Sequence, residues 1–220
     1  EAVHRPRGSH PPVACAAMTP DPRTLPSATP LLQQLLRIDT VNPPGNERPA
    51  VELCERVLRE AGFVTTLAGA SPERPNLVAE LAPRDPGRRA DGPVLGLLSH
   101  VDTVLADPQD WRHGPWGGAL VDGEVWGRGA IDMKSQTAAE ITAAVALARA
   151  GWRPARGALK VIVVVDEEVG GGEGAIWLTR ERPELAHCDL LLNEGGGAPM
   201  TVGGRRHWGV GVGEKGPVRF

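Results

Sequence analysis

The stretch KVIVVVDEEVGGGEG, residues 160–174, constrains the chain most. Val161 to Val165 are uniformly apolar and β-branched, as in a strand buried on both faces, and parallel sheets are where such strands occur. Asp166, Glu167 and Glu168 follow at once, and then glycines. Three adjacent carboxylates repel one another and favour protonation unless a cation is near, so acids at the end of a buried strand call for a metal. Adjacent glutamates also point in different directions, which lets one bind metal while the other handles protons.

The same arrangement recurs along the chain. LLSHVDT, residues 97–103, places His100 and Asp102 two positions apart at the end of an apolar strand. In extended backbone that period sends both side chains to one side. An imidazole is a good zinc ligand, and a neighbouring carboxylate commonly fixes its tautomer by accepting the other N–H. GRGAIDMKS, residues 127–135, sets Asp132 in a glycine-punctuated turn before a helix, and LLLNEGGG sets Glu194 after another short strand. Ligands gather in the crevice at the carboxyl ends of strands in open α/β sheets, so these groups can converge although they are far apart in sequence.

Periodicity predicts the frame. Helices are expected from Thr29 to near Asp39, over Pro49 to Ala61, Ser135 to Ala150 and Gly174 to Arg182. Strands are expected over Phe63 to Leu67, Asn76 to Leu81, Val94 to Ser99, Leu159 to Val165 and Asp189 to Asn193, with short ones near Val202 and Val210. Asp122-Gly123 marks a hairpin within Leu120 to Val125. The fold class is therefore α/β, a mixed and largely parallel sheet flanked by helices. The strands Val94 to Ser99 and Leu159 to Val165 are both expected to be buried on both faces.

Composition narrows the partners. A net charge of −3 over 220 residues offers no attraction to nucleic acid or to an anionic membrane. No apolar run nears the roughly 18 residues that span a bilayer. Cys15, Cys54 and Cys188 form no C-x-x-C pair, which speaks against a disulfide framework or a cysteine zinc site and for a reducing cytoplasm. Residues 1–27 are proline-rich without period and read as a disordered or non-native leader, with Met18 a candidate natural start. Gly170, Gly172 and Ala175 match a dinucleotide fingerprint. Against that reading, three acids would lie beside the pyrophosphate, at a cost of roughly 3 kcal/mol per charge pair. Trp111, Trp116 and Trp126 could wall a pocket but are assigned no chemistry.

Taken together, SHVDT, the segment Trp111 to Gly117, GRGAIDMKS, DEEVGG, NEGGG and the closing GEKG resemble the zinc-dependent amidohydrolase and exopeptidase family. That family includes acetylornithine deacetylase, succinyl-diaminopimelate desuccinylase, aminoacylase and glutamate carboxypeptidase. The resemblance implies a two-zinc site, with cobalt or manganese as possible substitutes. On it, His100 and Glu194 are ligands of one zinc, Asp132 bridges, Glu168 binds the second zinc, Asp102 orients His100, and Glu167 is the general base. The implied reaction is hydrolysis of an amide or peptide bond in a small N-acyl amino acid or peptide. It further implies that residues 28–212 are an incomplete catalytic domain and that 213–220 begin a lid and dimerisation domain. That lid would pair two subunits, and a later histidine would complete the second zinc site. The 220 residues alone are then expected to be inactive or nearly so. The rival expectation is a catalytically silent metal-binding or interaction protein.

Overall fold

A computed structural model describes residues 25–195 and 199–208. Its centre is a five-stranded sheet in the order β1-β2-β6-β3-β7, formed by Val64–Ala68 (β1), Asn76–Leu81 (β2), Val94–His100 (β3), Ala158–Val164 (β6) and Leu190–Leu192 (β7). The β1–β2 and β2–β6 pairs are antiparallel, and β6–β3 and β3–β7 are parallel. The expected mixed sheet forms, with its parallel half confined to the side that carries the acids. The hairpin of β4 (Ala119–Val121) and β5 (Glu124–Trp126) turns at Asp122-Gly123 as expected. A second hairpin joins β8 (Pro199–Val202) to β9 (Arg205–Trp208). The strand expected near Val210, most of the leader and residues 213–220 lie outside the described residues.

Strand β6 forms where the apolar run is densest, and all seven of its residues are buried. Its alternation divides two cores. Leu159, Val161 and Val163 face α1 (Thr29–Leu36), α2 (Arg48–Glu60) and α3 (Lys134–Arg149). Ile162 and Val164 face Leu178 of α4 (Ala175–Glu181) on the other side. Each fully buried Leu or Val side chain contributes about 1.5–3 kcal/mol of transfer free energy. Helix α3 supplies Ala138, Ile141, Ala144, Val145 and Ala148, spaced to line one face. By contrast β3 is only half-buried at Leu95, Leu97 and Leu98, because its outer neighbour β7 is short and exposed. The expectation of burial on both faces holds for β6 and not for β3.

Two buried lysines close helix ends that the apolar pattern does not predict. Lys134 Nζ donates to the Leu35 and Ile38 carbonyls at the end of α1 (3.0 and 2.9 Å). Lys160, in the middle of β6, donates to the carbonyls of Glu184, Leu185 and His187 around α5 (Pro183–Ala186). A cation placed on final carbonyls satisfies acceptors that a helix leaves unpaired. Gly174 is required by close approach: a Cβ there would lie 1.9 Å from the Val165 carbonyl oxygen, where α4 begins against the end of β6.

Candidate metal centre

The carboxyl ends of the three adjacent parallel strands open side by side. His100 is the last residue of β3, Asp166 to Glu168 follow β6, and Glu194 follows β7. Asp132 reaches the same place from the loop between β5 and α3, where the Asp132–Met133 peptide is cis. His100 Nε2 lies 3.1 Å from Asp132 Oδ1, 3.4 Å from Glu194 Oε2 and 3.6 Å from Glu167 Oε2. Two groups have ligand atoms within 4.8 Å of one another: His100, Asp132 and Glu168, and His100, Glu167 and Glu194. Five of the six residues singled out in the sequence thus meet around one imidazole nitrogen. Both glutamates of the Glu167-Glu168 pair stand within ligand reach of His100.

Asp102, the sixth, lies beneath the cup. His100 Nδ1 is 3.1 Å from the Asp102 carbonyl oxygen and 3.3 Å from its Oδ1. An Nδ1–H directed there leaves Nε2 free to face the carboxylates. The buried Asp102 carboxylate also accepts from the backbone N–H of Glu167 (3.1 Å) and of Glu168 (3.0 Å), and from Asn42 Nδ2 (3.0 Å). One carboxylate therefore positions the imidazole and both glutamates.

The charges explain what this cup wants. Burial opposes a proton on His100, but the hydrogen bond to Asp102 and the charges of Asp102, Glu167 and Glu194 outweigh it and lift the imidazole to about 9. Burial likewise raises Glu167 and Glu168, and the neighbouring carboxylates add to the effect. A half-enclosed ring of acids that pulls a proton onto its only imidazole is a donor set suited to a divalent cation. Imidazole with carboxylates is a donor set that zinc, manganese or cobalt accepts.

Some of the machinery carries no local sequence signal. The stretch after α1, whose NPPGN part reads only as a breaker, runs alongside residues 101–103: Thr40 Oγ1 donates to the Val101 carbonyl (2.6 Å), and the Asn42 N–H donates to that of Thr103 (2.9 Å). This delivers Asn42 between Asp102 and Asp166, whose Oδ1 accepts its second hydrogen bond at 3.2 Å. Asp166 has a left-handed backbone, φ 68°, and pairs with Arg74 at 3.0 Å. Arg74 also grips the fully buried Glu47 through two hydrogen bonds. Asn76, at the start of β2, accepts from the Val165 N–H and donates to the Glu173 carbonyl, tying down both ends of the acidic loop.

Two hollows are large enough for a small molecule. One of about 470 Å³ is shared by Trp111, Trp126, Arg128, Asp132 and Glu168. A larger one, about 600 Å³, lies by Arg48, Leu67, Trp177 and Arg182 and includes none of the six residues. The chemistry belongs with the smaller one.

An α/β sheet with imidazole and carboxylates at the mouths of its parallel strands defines a class of domain built to hold cations over a groove. Residues 96–205 match the model of peptidase family M20/M25/M40, and the chain belongs to that family. It is 35% identical over 169 residues to a succinyl-diaminopimelate desuccinylase of Xanthobacter autotrophicus, covering 73% of this chain and 41% of that protein. A succinyl-diaminopimelate desuccinylase of Methylobacterium radiotolerans is 31% identical over 186 residues, covering 80% and 45%. The chain thus spans about two fifths of the length of the curated relatives it matches. Among solved structures, human carnosine dipeptidase 1 superposes with TM-score 0.61 at 22% identity, covering 78% of this chain and 40% of that one. An M20 family metallo-carboxypeptidase from Sulfolobus solfataricus gives 0.62 at 20% identity, covering 79% and 38%. These likenesses show the shared fold. The dinucleotide reading of Gly170, Gly172 and Ala175 gives way to this family, and those residues serve the turn between β6 and α4.

Proposed function

We propose that the protein to which this chain belongs hydrolyses an amide or peptide bond in a small N-acyl amino acid or peptide, with two divalent cations, zinc foremost, held in the cup. The observation that carries this reading is the convergence of Asp132, Glu167 and Glu194 oxygens within 3.6 Å of His100 Nε2. In support stand the family and its desuccinylase relatives. His100, Asp132 and Glu194 would hold one ion, with Asp132 shared and Glu168 on the other. When bound, the ions supply Lewis acidity that polarises the scissile carbonyl and acidifies water.

Glu167 takes the proton of the attacking water and later returns it to the leaving amine, which yields a carboxylate and a free amine without a covalent intermediate. Its raised pKa keeps it closer to neutrality than an exposed glutamate, which suits a group that both takes and gives a proton. Asp102 holds the Glu167 backbone and the His100 ring at fixed distance, so base and ligand move as one unit. We place the protein in the cytoplasm on its unpaired Cys54 and Cys188, and among the described residues no helix is long and apolar enough to cross a membrane. By the family resemblance, a further domain supplies a lid, a dimer contact and the remaining ligand. The 220 residues alone then turn over little or no substrate.

The test is a panel of N-acyl amino acids and dipeptides offered to the full-length gene product with and without a chelator. Hydrolysis that stops on metal removal and returns with zinc supports the reading. Metal uptake with no turnover on any amide supports the silent metal-binding protein instead.

A further inference from the structure

The hollow beside the cup is built with one cation and three acids. Glu124, Asp132 and Glu168 line it, and Arg128 is the only basic side chain among the described residues around it. Asp132 and Glu168 are engaged by metal on the proposed function, which leaves Arg128 as the positive group facing the space next to the reacting bond. Its guanidinium carbon lies 5.2 Å from the centre of the Trp111 ring, which holds the planar group by cation–π attraction. Its Nε is buried without a hydrogen-bond partner, and no ion pair to it forms among the described residues. Trp126 closes one wall, and the exposed Val104 and Ile131 give the rim an apolar lip. The volume, about 470 Å³, lies in the range of small-molecule sites.

We propose that Arg128 is a specificity residue that receives a carboxylate of the substrate in this hollow, with Trp111 and Trp126 flanking the methylene chain that carries it. The inference rests on the amide-hydrolase reading and adds that the preferred substrate bears an anionic group near the scissile bond. A carboxylate matches the two-pronged donor face of a guanidinium, which a lysine cannot reproduce. Two sources supply that group: the far end of a dicarboxylic acyl chain, or the α-carboxylate of the amino acid that leaves.

The experiment compares the full-length protein with Arg128→Gln and Arg128→Lys on two substrate pairs. The first pair is an N-succinyl and an N-butyryl amino acid. The second is an N-acyl amino acid and its α-carboxamide. In Arg128→Gln the kcat/KM ratio of the charged to the neutral member falls by roughly ten- to hundredfold in one pair, the scale of a charged hydrogen bond. Arg128→Lys recovers part of that loss. A fall confined to the first pair places the acyl carboxylate on Arg128, and a fall confined to the second places the α-carboxylate there. Melting curves establish that each variant is folded, and Arg128→Lys alone decides the matter should Arg128→Gln not fold. Both ratios unchanged in folded variants of an active enzyme overturn this inference and leave the hydrolase reading intact. A parent protein that cleaves no amide overturns both.

Discussion

The two parallel neighbours of β3 carry their acids on different footings. On one side β6 is buried along its whole length, and the acidic loop after it is held by Asp102, Asn42, Asn76 and Arg74. On the other side β7 is three leucines that are 60, 49 and 57% exposed, and Glu194 follows it with no hydrogen bond beyond its approach to His100 among the described residues. Preorganisation for catalysis is worth most where developing charge must be met without rearrangement. The proposed base, Glu167, therefore hangs from the rigid side, while the proposed ligand Glu194 hangs from the side whose apolar strand lacks cover among the described residues.

The largest test of that contrast is Glu167→Gln in the full-length protein. Loss of the base lowers kcat by about 10²–10⁴, while elemental analysis finds the metal retained. Unchanged turnover would remove Glu167 from the reaction. Next comes a pair of leucines. Leu77→Ala in β2, at a fully buried position, costs about 2–5 kcal/mol by denaturant melt, as cavity formation in a packed core requires. Leu191→Ala in β7 costs less than about 0.5 kcal/mol in the 220-residue chain. Equal losses would show the two sides of the sheet to be equally consolidated.

Asp102→Ala removes the anchor shared by His100, Glu167 and Glu168. Zinc affinity falls about 10–100-fold, as when the carboxylate behind a ligating histidine is lost. The melting point drops as well, because two backbone N–H groups lose their acceptor. Glu60, an exposed carboxylate at the end of α2 whose side chain makes no hydrogen bond or ion pair among the described residues, serves as the control with little effect on either.

The smallest effect lies away from the cup. Burial pushes the Glu140 carboxyl on α3 up to about 7 from 4.5, against a weaker opposing hydrogen bond from Gln136. The folded state then binds more protons than the unfolded one between those values. Its contribution to stability is complete below pH 4.5 and is lost as pH rises through 7. Glu140→Gln removes that dependence and raises stability at pH 8 by about 1 kcal/mol, a figure reduced for partial exposure to water. A stability curve with the same slope between pH 5 and 7 in both proteins contradicts the assignment.

What the chain discloses before folding is uneven for a physical reason. Strand-end chemistry is local: DEEVGG after β6, SHVD after β3 and NEGGG after β7 each combine an apolar run with its terminating acid, so the candidate ligands could be named in advance. The strand order that brings β6, β3 and β7 together is set by long-range pairing, which leaves no trace in any short window. Asn42 reaches Asp102 across 60 residues and Arg74 reaches Asp166 across 92, and nothing adjacent to either in sequence signals it. Strand β3 is less buried than its apolar run predicts, because such a run reports what a strand can bury, and not whether its neighbour provides the cover. Trp111 and Trp126 could wall a pocket on sequence alone, but only the loop and hairpin place them beside Arg128.

The central claim is that one imidazole nitrogen organises a cation site at the mouths of three parallel strands. Crystals of the full-length protein grown with zinc, measured at the zinc absorption edge, test it directly. The account predicts an anomalous peak about 2.0–2.1 Å from His100 Nε2 with carboxylate oxygens of Asp132 and Glu194 completing the site. A zinc peak bound elsewhere, with His100 still turned to bare carboxylates, would contradict it.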